Sequence, residues 1–214
     1  GLIAYYPFNG NAKDESGNGH DGEVKGATLS KDRHNADGKA YTFDGKDDAI
    51  KIDLSNLKLT DKVTISCWAK QDPDQVDVAG KTRAISIGKS NSGVDFKLSP
   101  DAFICAAFNR KGQTISVVNM SDEVSTSANV SNRKVPESLR NNANRWMLYT
   151  MTYSGETGVV AYLNGKQIAS APVAKGVDKL LSGSFSQLSI GHGGGSRGRC
   201  KGSLDDVRIY NRAL

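Results

Sequence analysis

The chain has 214 residues, and no Pro-rich, Ser-rich or singly charged run separates two apolar blocks, so we expect one domain over residues 1–214. Its 28 basic and 23 acidic residues are spread along the sequence, without a basic block or a recognition-helix motif, which argues against a nucleic-acid partner. No apolar run approaches the roughly 18 residues of a membrane-spanning helix, so no membrane span is expected in this sequence.

Short runs of alternating polarity, bounded by Gly, Asn and Asp, recur along the chain, and no stretch keeps helical periodicity over a typical helix length. These runs predict strands at 2–8, 40–43, 49–52, 63–69, 84–87, 103–108, 114–118, 145–153, 159–163, 168–173, 187–190 and 204–210. So many short strands predict an all-β fold, either a sandwich or a barrel.

Turn signals and chain ends add to this prediction. Residues 154–158 and the dipeptide Asn164-Gly165 indicate hairpins, the second suited to a type I′ turn. Residues 135–142, with Pro136 in the first turn, are compatible with one or two turns of helix. The first and last strands are expected to pair, because the termini of compact domains often lie close together.

The segment that follows the first strand, residues 9–22, is rich in Asp, Asn and Gly. Calcium takes six to eight oxygen ligands from carboxylates, amides and backbone carbonyls, and such a loop supplies them. The same composition is typical of a solvated loop built from Asx turns. The spacing is not that of an EF-hand.

The last strand contains a carboxylate in an apolar setting. Period-2 alternation puts Asp205 on the same face as Val207 and Ile209, and so predicts that it points inward. A buried carboxylate needs a metal, an arginine or several backbone N–H groups beside it. If the termini pair, Asp205 faces the N-terminal loop and calcium is the simplest partner. A transition metal is not expected, because the three histidines share no ligand-like spacing.

Several segments resemble one family. They are residues 4–12 and 14–22 at the start, 41–45, 63–70, 145–153 with 160–166, and the closing 202–214 (GSLDDVRIYNRAL). In this order, over the whole chain, they resemble the laminin-G-like branch of the concanavalin A-like lectin/glucanase superfamily. The resemblance implies a jelly roll, a sandwich of two antiparallel sheets, with a structural Ca²⁺ between the N-terminal loop and the last strand. The resemblance implies that the calcium ligands are Asp14, Asn18, the backbone carbonyl of His20, and Asp205. Asp21 is an alternative ligand.

The superfamily also includes glucanases, whose usual motif is Glu-x-Asp-x-x-Glu. None of the five glutamates in this chain has an Asp two residues later. We therefore expect no catalytic residues, and a glycoside hydrolase is the less favoured alternative.

The three cysteines also give no sign of catalysis. Cys67 and Cys105 lie in apolar strands, where a cysteine acts as a small hydrophobic residue. Cys200 lies in a glycine-rich loop, without a neighbouring pattern of residues that would activate a nucleophile.

Candidate ligand-binding residues come from strand faces and from one loop. Trp68 shares a strand face with polar residues, so we expect its ring to form an aromatic platform for a ligand on the outer surface. The alternative is that the ring is buried under a loop. Tyr149 and Tyr153 form a second stripe, for which packing between the sheets is the alternative. Trp146 is assigned to the core. In the loop, Arg197 and Arg199 are candidates for an acidic ligand or, alternatively, simply solvated.

The resemblance implies a lectin-like module that binds a glycan or surface polysaccharide. A protein ligand, in an adhesion or structural module of a surface protein, is the alternative, since a fold does not fix a ligand. We expect the sequence to be part of a larger exported protein, located at the cell surface, outside the cell or in a periplasm.

Overall fold

The computed structural model describes residues 1–54, 61–74, 84–87, 93–99, 102–109, 113–120, 130–133, 142–178, 187–192 and 198–214. Within these ranges the chain forms sixteen strands and no helix, arranged as two eight-stranded sheets packed face to face. The prediction of an all-β sandwich is confirmed.

The first sheet contains both chain ends. Its strands are β1 (Leu2–Tyr6), β3 (Thr28–Ser30), β4 (Ala40–Asp44), β6 (Lys62–Gln71), β12 (Trp146–Ser154), β13 (Gly158–Leu163), β14 (Lys166–Ala171) and β16 (Lys201–Tyr210). They lie in the order β14-β13-β12-β6-β16-β4-β3. The second half of β16 pairs with β1, so the predicted contact between the first and last strands is confirmed.

The second sheet is built largely from the middle of the chain. Its strands are β2 (Gly22–Lys25), β5 (Ala49–Asp53), β7 (Ile85–Ile87), β8 (Gly93–Ser99), β9 (Ala102–Phe108), β10 (Thr114–Met120), β11 (Val130–Arg133) and β15 (Gln187–Ile190). They lie in the order β11-β10-β9-β8-β7-β15-β5-β2. The strand pairs are antiparallel except for β10 and β11, which run parallel.

The core fills the space between the sheets with the inward side chain of every second residue. Phe103 of the second sheet meets Tyr149 of the first edge to face, with 5.2 Å between ring centroids. The three cysteines are free and buried in this core, and burial raises the pKa of each thiol. They therefore act as small apolar side chains rather than as nucleophiles.

Each of the twelve predicted strands has a counterpart in the structure, but the pattern did not predict β2, β3, β8 and β11. Three of these four are sheet edges, where one-sided burial is weak. In β8 the signal was present in the sequence, because the apolar residues Val94, Phe96 and Leu98 alternate with the polar Asp95 and Lys97. Of the helix-compatible segment 135–142, residues 135–141 lie outside the described residues.

Both predicted hairpin turns are found. Asn164 and Gly165 have φ angles of 50° and 78°, as a type I′ turn requires. Gly158 closes the other hairpin with φ of 81°, and a Cβ there would lie 2.1 Å from the carbonyl oxygen of Ala171. Only glycine fits at that position.

A β-bulge interrupts β16 at Asp205 and Asp206. The pairing with β6 changes register there, and Asp206 has φ of 51°. Because a bulge adds one residue to the strand, it shifts the alternation of faces by one. Asp205 pairs with Trp68 on the outer face of the sheet, while Val207 and Ile209 are buried in the core. The prediction that Asp205 points inward with these two residues is therefore wrong.

Candidate ligand-binding site

The N-terminal loop is organised around the carboxylate of Asp14. Oδ1 accepts hydrogen bonds from the backbone N–H groups of Tyr5 and Ser16, both at 2.9 Å. Oδ2 accepts from the hydroxyl of Ser16 at 2.9 Å and from the N–H of His20 at 3.0 Å. Partial burial acts to raise the pKa of Asp14, but the hydrogen bonds outweigh it and hold the pKa below its usual value.

The other loop residues predicted as calcium ligands also bind the protein itself. Asn18 donates from Nδ2 to the carbonyl oxygens of Leu2 and Ile3, at 3.3 and 3.2 Å. The carbonyl of His20 accepts a 2.7 Å hydrogen bond from the hydroxyl of Tyr6. The loop is thus tied along one edge of β1.

Asp205 has a different partner. Its Oδ2 lies 2.6 Å from Nη1 of Arg33, a residue of the segment between β3 and β4. Asp205 is 2% exposed, and burial, together with the charge of Asp206, raises its pKa to about 6 although Arg33 acts to lower it. An arginine was one of the three partners that the sequence left open for this carboxylate.

The structure places three of the four predicted calcium ligands, Asp14, Asn18 and His20, in one loop and the fourth, Asp205, on a different element. The N–H of Tyr5 donates to the carboxylate of Asp14, and the carbonyl of Tyr5 accepts from the N–H of Glu15, so the loop occupies one edge of β1. The opposite edge of β1 pairs with β16, which carries Asp205. β1 therefore lies between the loop that carries Asp14 and the strand that carries Asp205, and both carboxylates accept hydrogen bonds from protein donors. Calcium remains a prediction.

One group of three carboxylates in the described part of the chain does converge: Asp44, Asp47 and Asp48, in the β4–β5 turn. Two of the three side chains are exposed. Asp48 accepts the N–H of Asp44 at 2.8 Å, and Asp44 accepts that of Lys46 at 2.7 Å. These hydrogen bonds are those of an Asx-type turn, which needs no ion.

A network of charges surrounds the β16 bulge, and we call it the arginine junction: Tyr5, Arg33, Asp205, Asp206 and Arg208. Nη2 of Arg33 lies 2.7 Å from Asp206, so one guanidinium binds both aspartates. Asp206 also accepts from Arg208 at 2.9 Å and from the hydroxyl of Tyr5 at 2.8 Å. Two arginines thus balance two buried carboxylates. Sequence patterns missed Arg33 because it lies 172 residues from Asp205 in the chain.

Trp68 lies on the outer face of the first sheet, as predicted, and is half-buried. The guanidinium of Arg33 stands 5.1 Å from the centroid of its ring. This distance is within the range of a cation–π contact. The segment that carries Arg33 therefore covers part of the predicted platform.

Trp146 also lies on this outer face, so its assignment to the core is wrong. It begins β12, where Met147 and Tyr149 point inward and are buried, and alternation turns Trp146 and Leu148 outward. Trp146 is half-buried and pairs with Lys70 of β6, whose Nζ lies 5.5 Å from the ring centroid.

The two tryptophans belong to one surface, the tryptophan face: Trp68, Trp146, Leu148, Tyr162 and Lys70. All five are half-buried. Trp68 pairs with Leu148 and Lys70 with Trp146, so the two indoles are diagonal neighbours on adjacent strands. Diagonal neighbours in a sheet are about 7–8 Å apart, which is close enough for one ligand to touch both rings.

Tyr149 and Tyr153 do not form a ligand-binding stripe, because both point into the core. Their exposed fractions are 1% and 0%. The hydroxyl of Tyr149 accepts a hydrogen bond from Nε2 of Gln71 at 3.2 Å, and burial raises its pKa to about 12. Packing between the sheets, the alternative interpretation from the sequence, is what the structure shows.

A family model described as the concanavalin A-like lectin/glucanases superfamily matches residues 44–214. The chain belongs to this superfamily. No match was found among curated proteins.

Solved structures share this concanavalin A-like fold over the whole chain. The binding domain of Paraclostridial Mosquitocidal Protein 1 matches with a TM-score of 0.74 and 22% identity, and the chain spans 49% of its length. The Botulinum neurotoxin serotype G binding domain matches with a TM-score of 0.70 and 15% identity, over 48% of its length. Domain 4 of AbnA, a GH43 extracellular arabinanase from Geobacillus stearothermophilus in complex with arabinotriose, matches with a TM-score of 0.67, 19% identity and 93% coverage.

The opposite surface of this concanavalin A-like sandwich has a shallow polar recess of about 340 Å³ on the second sheet. It is lined by Asp21, Glu23, Lys51, Ile52, Asp53 and Gln187. The lining offers carboxylates and an amide, but no aromatic ring. Asp21, the reserve calcium candidate, also accepts the N–H of Asp14 at 2.9 Å.

The two loop arginines of the concanavalin A-like domain stay untested as ligand-binding residues. Arg197 lies outside the described residues. Arg199 is exposed and forms an isolated β-bridge with His192.

Proposed function

We propose that this chain is a non-catalytic module that binds a glycan through the tryptophan face. The observation that carries the proposal is the pair of half-buried indoles, Trp68 and Trp146, on adjacent strands of one sheet. The apolar face of a sugar ring packs against an aromatic side chain, and nearby polar groups bind its hydroxyls. Side chains on paired strands hold such a surface rigid.

The similar proteins support the part of this proposal that makes the chain a binding module. The superfamily is named for lectins and glucanases. Two similar structures are described as binding domains, and a third as a domain in complex with arabinotriose. A shared fold leaves the ligand open, so the choice of a glycan rests on the chemistry of the tryptophan face.

A non-catalytic role is supported by the absence of the Glu-x-Asp-x-x-Glu motif from the sequence. We further propose that the module works outside the cell, as does the arabinanase whose domain it resembles, which is described as extracellular. Within the described part of the chain there is no helix long and apolar enough to span a membrane.

A glycan array with the wild-type protein, followed by calorimetric titration of the best oligosaccharide, tests the proposal. We expect Trp146→Ala to weaken binding at least about tenfold, equivalent to roughly 1.4 kcal/mol. Tyr210→Ala is the matched control, because Tyr210 is a half-buried aromatic on the same sheet. It pairs with Thr64, six residues along β6 from Lys70, or about 20 Å.

Failure of the wild type to bind any glycan would refute the proposed function. Equal losses in Trp146→Ala and Tyr210→Ala would refute the tryptophan face as the site. Binding of a protein ligand that Trp146→Ala abolishes, with a silent glycan array, would establish the adhesion alternative in its place.

A further inference from the structure

The charges on the outer face of the first sheet are unevenly matched. Arg33 has two carboxylate partners, Asp205 and Asp206, and Arg208 shares one of them. Lys201, at the start of β16, lies 3.2 Å from Asp72. The cations around β16 are therefore neutralised by the protein itself.

Lys70, on the same face, differs from these cations. It is half-buried, its Nζ stands over the ring of Trp146, and no carboxylate in the described part of the chain forms an ion pair with it. Its neighbours across the strands are Trp146 on one side and Ser203 on the other, and neither carries a charge. The exposed Arg145, next to Trp146 in the chain, adds a second positive charge nearby.

We infer that the tryptophan face selects an anionic sugar, a uronate or a sulfated residue, whose ring packs on Trp146 while its acidic group binds Lys70. This inference rests on the proposed function and names the class of glycan. A sugar ring in van der Waals contact with the indole of Trp146 lies about 3.5–4.0 Å above it. The ammonium of Lys70 is 5.5 Å from the centroid of the same indole, so it can reach an acidic substituent at the edge of the sugar ring.

The carboxylates near the tryptophan face do not repel an anionic ligand. The carboxylates nearest to Trp68 belong to the arginine junction, where Arg33 and Arg208 balance their charge. The flexible lysine stem lets the ammonium move from the ring toward a ligand oxygen without a change in the strand. A whole-chain net charge of +5 favours the approach of a polyanion.

The test compares three probes in calorimetric titrations: a galacturonate oligomer, its neutral methyl ester, and a sulfated oligosaccharide of similar length. We expect the wild type to bind an anionic oligomer more tightly than the neutral ester, and the difference to shrink as salt is raised. Lys70→Gln should weaken anionic binding about two- to fivefold, the range of a solvent-exposed ion pair, and weaken binding of the neutral ester by less.

Lys13→Gln is the matched control, because it removes the same charge from an exposed lysine of the N-terminal loop. Equal binding of charged and neutral oligomers by the wild type, or equal effects of Lys70→Gln and Lys13→Gln, would overturn the inference. Tighter binding of a poly-glutamate peptide than of either anionic sugar would overturn it in favour of an acidic protein segment. These results differ from failure of the proposed function, in which no oligosaccharide binds.

Discussion

Loss of Arg33 from the arginine junction should destabilise the fold. In Arg33→Met the stem remains but both ion pairs, at 2.6 and 2.7 Å, are lost. The side chains involved are 24% exposed for Arg33, 3% for Asp205 and 9% for Asp206. Removing one partner of a buried ion pair typically costs about 3–5 kcal/mol, because the remaining charge is left uncompensated.

Two features of the junction reduce this figure. Arg33 is partly solvated, and Asp206 keeps its hydrogen bond from Arg208. Asp205, with a pKa of about 6, can also take up a proton when its cation is removed. We therefore expect Arg33→Met to lower the free energy of unfolding by about 2–3 kcal/mol at pH 7, or the melting temperature by about 4–12 °C for a chain of this size.

Urea denaturation and calorimetry at pH 7 and low salt measure this loss. Lys31→Met is the matched control in the same segment, because Lys31 and Asp37 form a 3.2 Å pair whose side chains are 58% and 85% exposed. Such a pair contributes at most about 1 kcal/mol. A loss below about 1 kcal/mol in Arg33→Met, or one no larger than in Lys31→Met, would refute the reasoning that the junction is a buried and energetically coupled site.

Two further predictions follow from the same contacts. The pKa of Asp205 is about 6 in the folded protein against 3.8 for an ordinary aspartate, so its contribution to stability is fully present below about pH 4 and is lost as pH rises through 6. The free energy of unfolding, measured by urea denaturation, should therefore fall by up to about 3 kcal/mol from pH 4 to pH 7 because of this group. Asp205→Asn should reduce this pH dependence. An unchanged pH dependence in the variant would contradict the raised pKa of Asp205. The predicted calcium ion should raise the melting temperature in excess calcium above that in excess chelator, because a ligand that binds only the folded state stabilises it. Equal melting temperatures would contradict the ion and would agree with the protein partners of Asp14 and Asp205.

Much of the fold was predictable because burial on one side of a strand leaves a period-2 pattern in the sequence. Edge strands weaken that pattern, since fewer of their side chains are covered. In β2 three of the four residues are exposed, and Val24 is 37% exposed. The missed β11 lies at the opposite edge of the same sheet, beside β10.

The site was predictable only where a strand is regular. β6 has no irregularity in its pairing with β12, so the outward position of Trp68 followed from its neighbours. Trp146 was assigned wrongly to the core, although the alternation of the residues that follow it in β12 places it on the outer face. No local pattern predicts Arg33, whose contacts with Asp205 and Asp206 arise only when β3, β4 and β16 come together.

The bulge in β16 links the fold to the proposed binding surface. By changing register, it lets two consecutive aspartates, Asp205 and Asp206, reach one guanidinium on the outer face, whereas a regular strand would direct them to opposite faces. Arg33, fixed by both, then covers part of Trp68, while Lys70 stands over Trp146. Because a lysine stem moves aside more readily than a guanidinium held by two carboxylates, Trp146 is the more accessible platform. Substituting Trp68 should therefore affect stability more than binding, and substituting Trp146 should do the reverse.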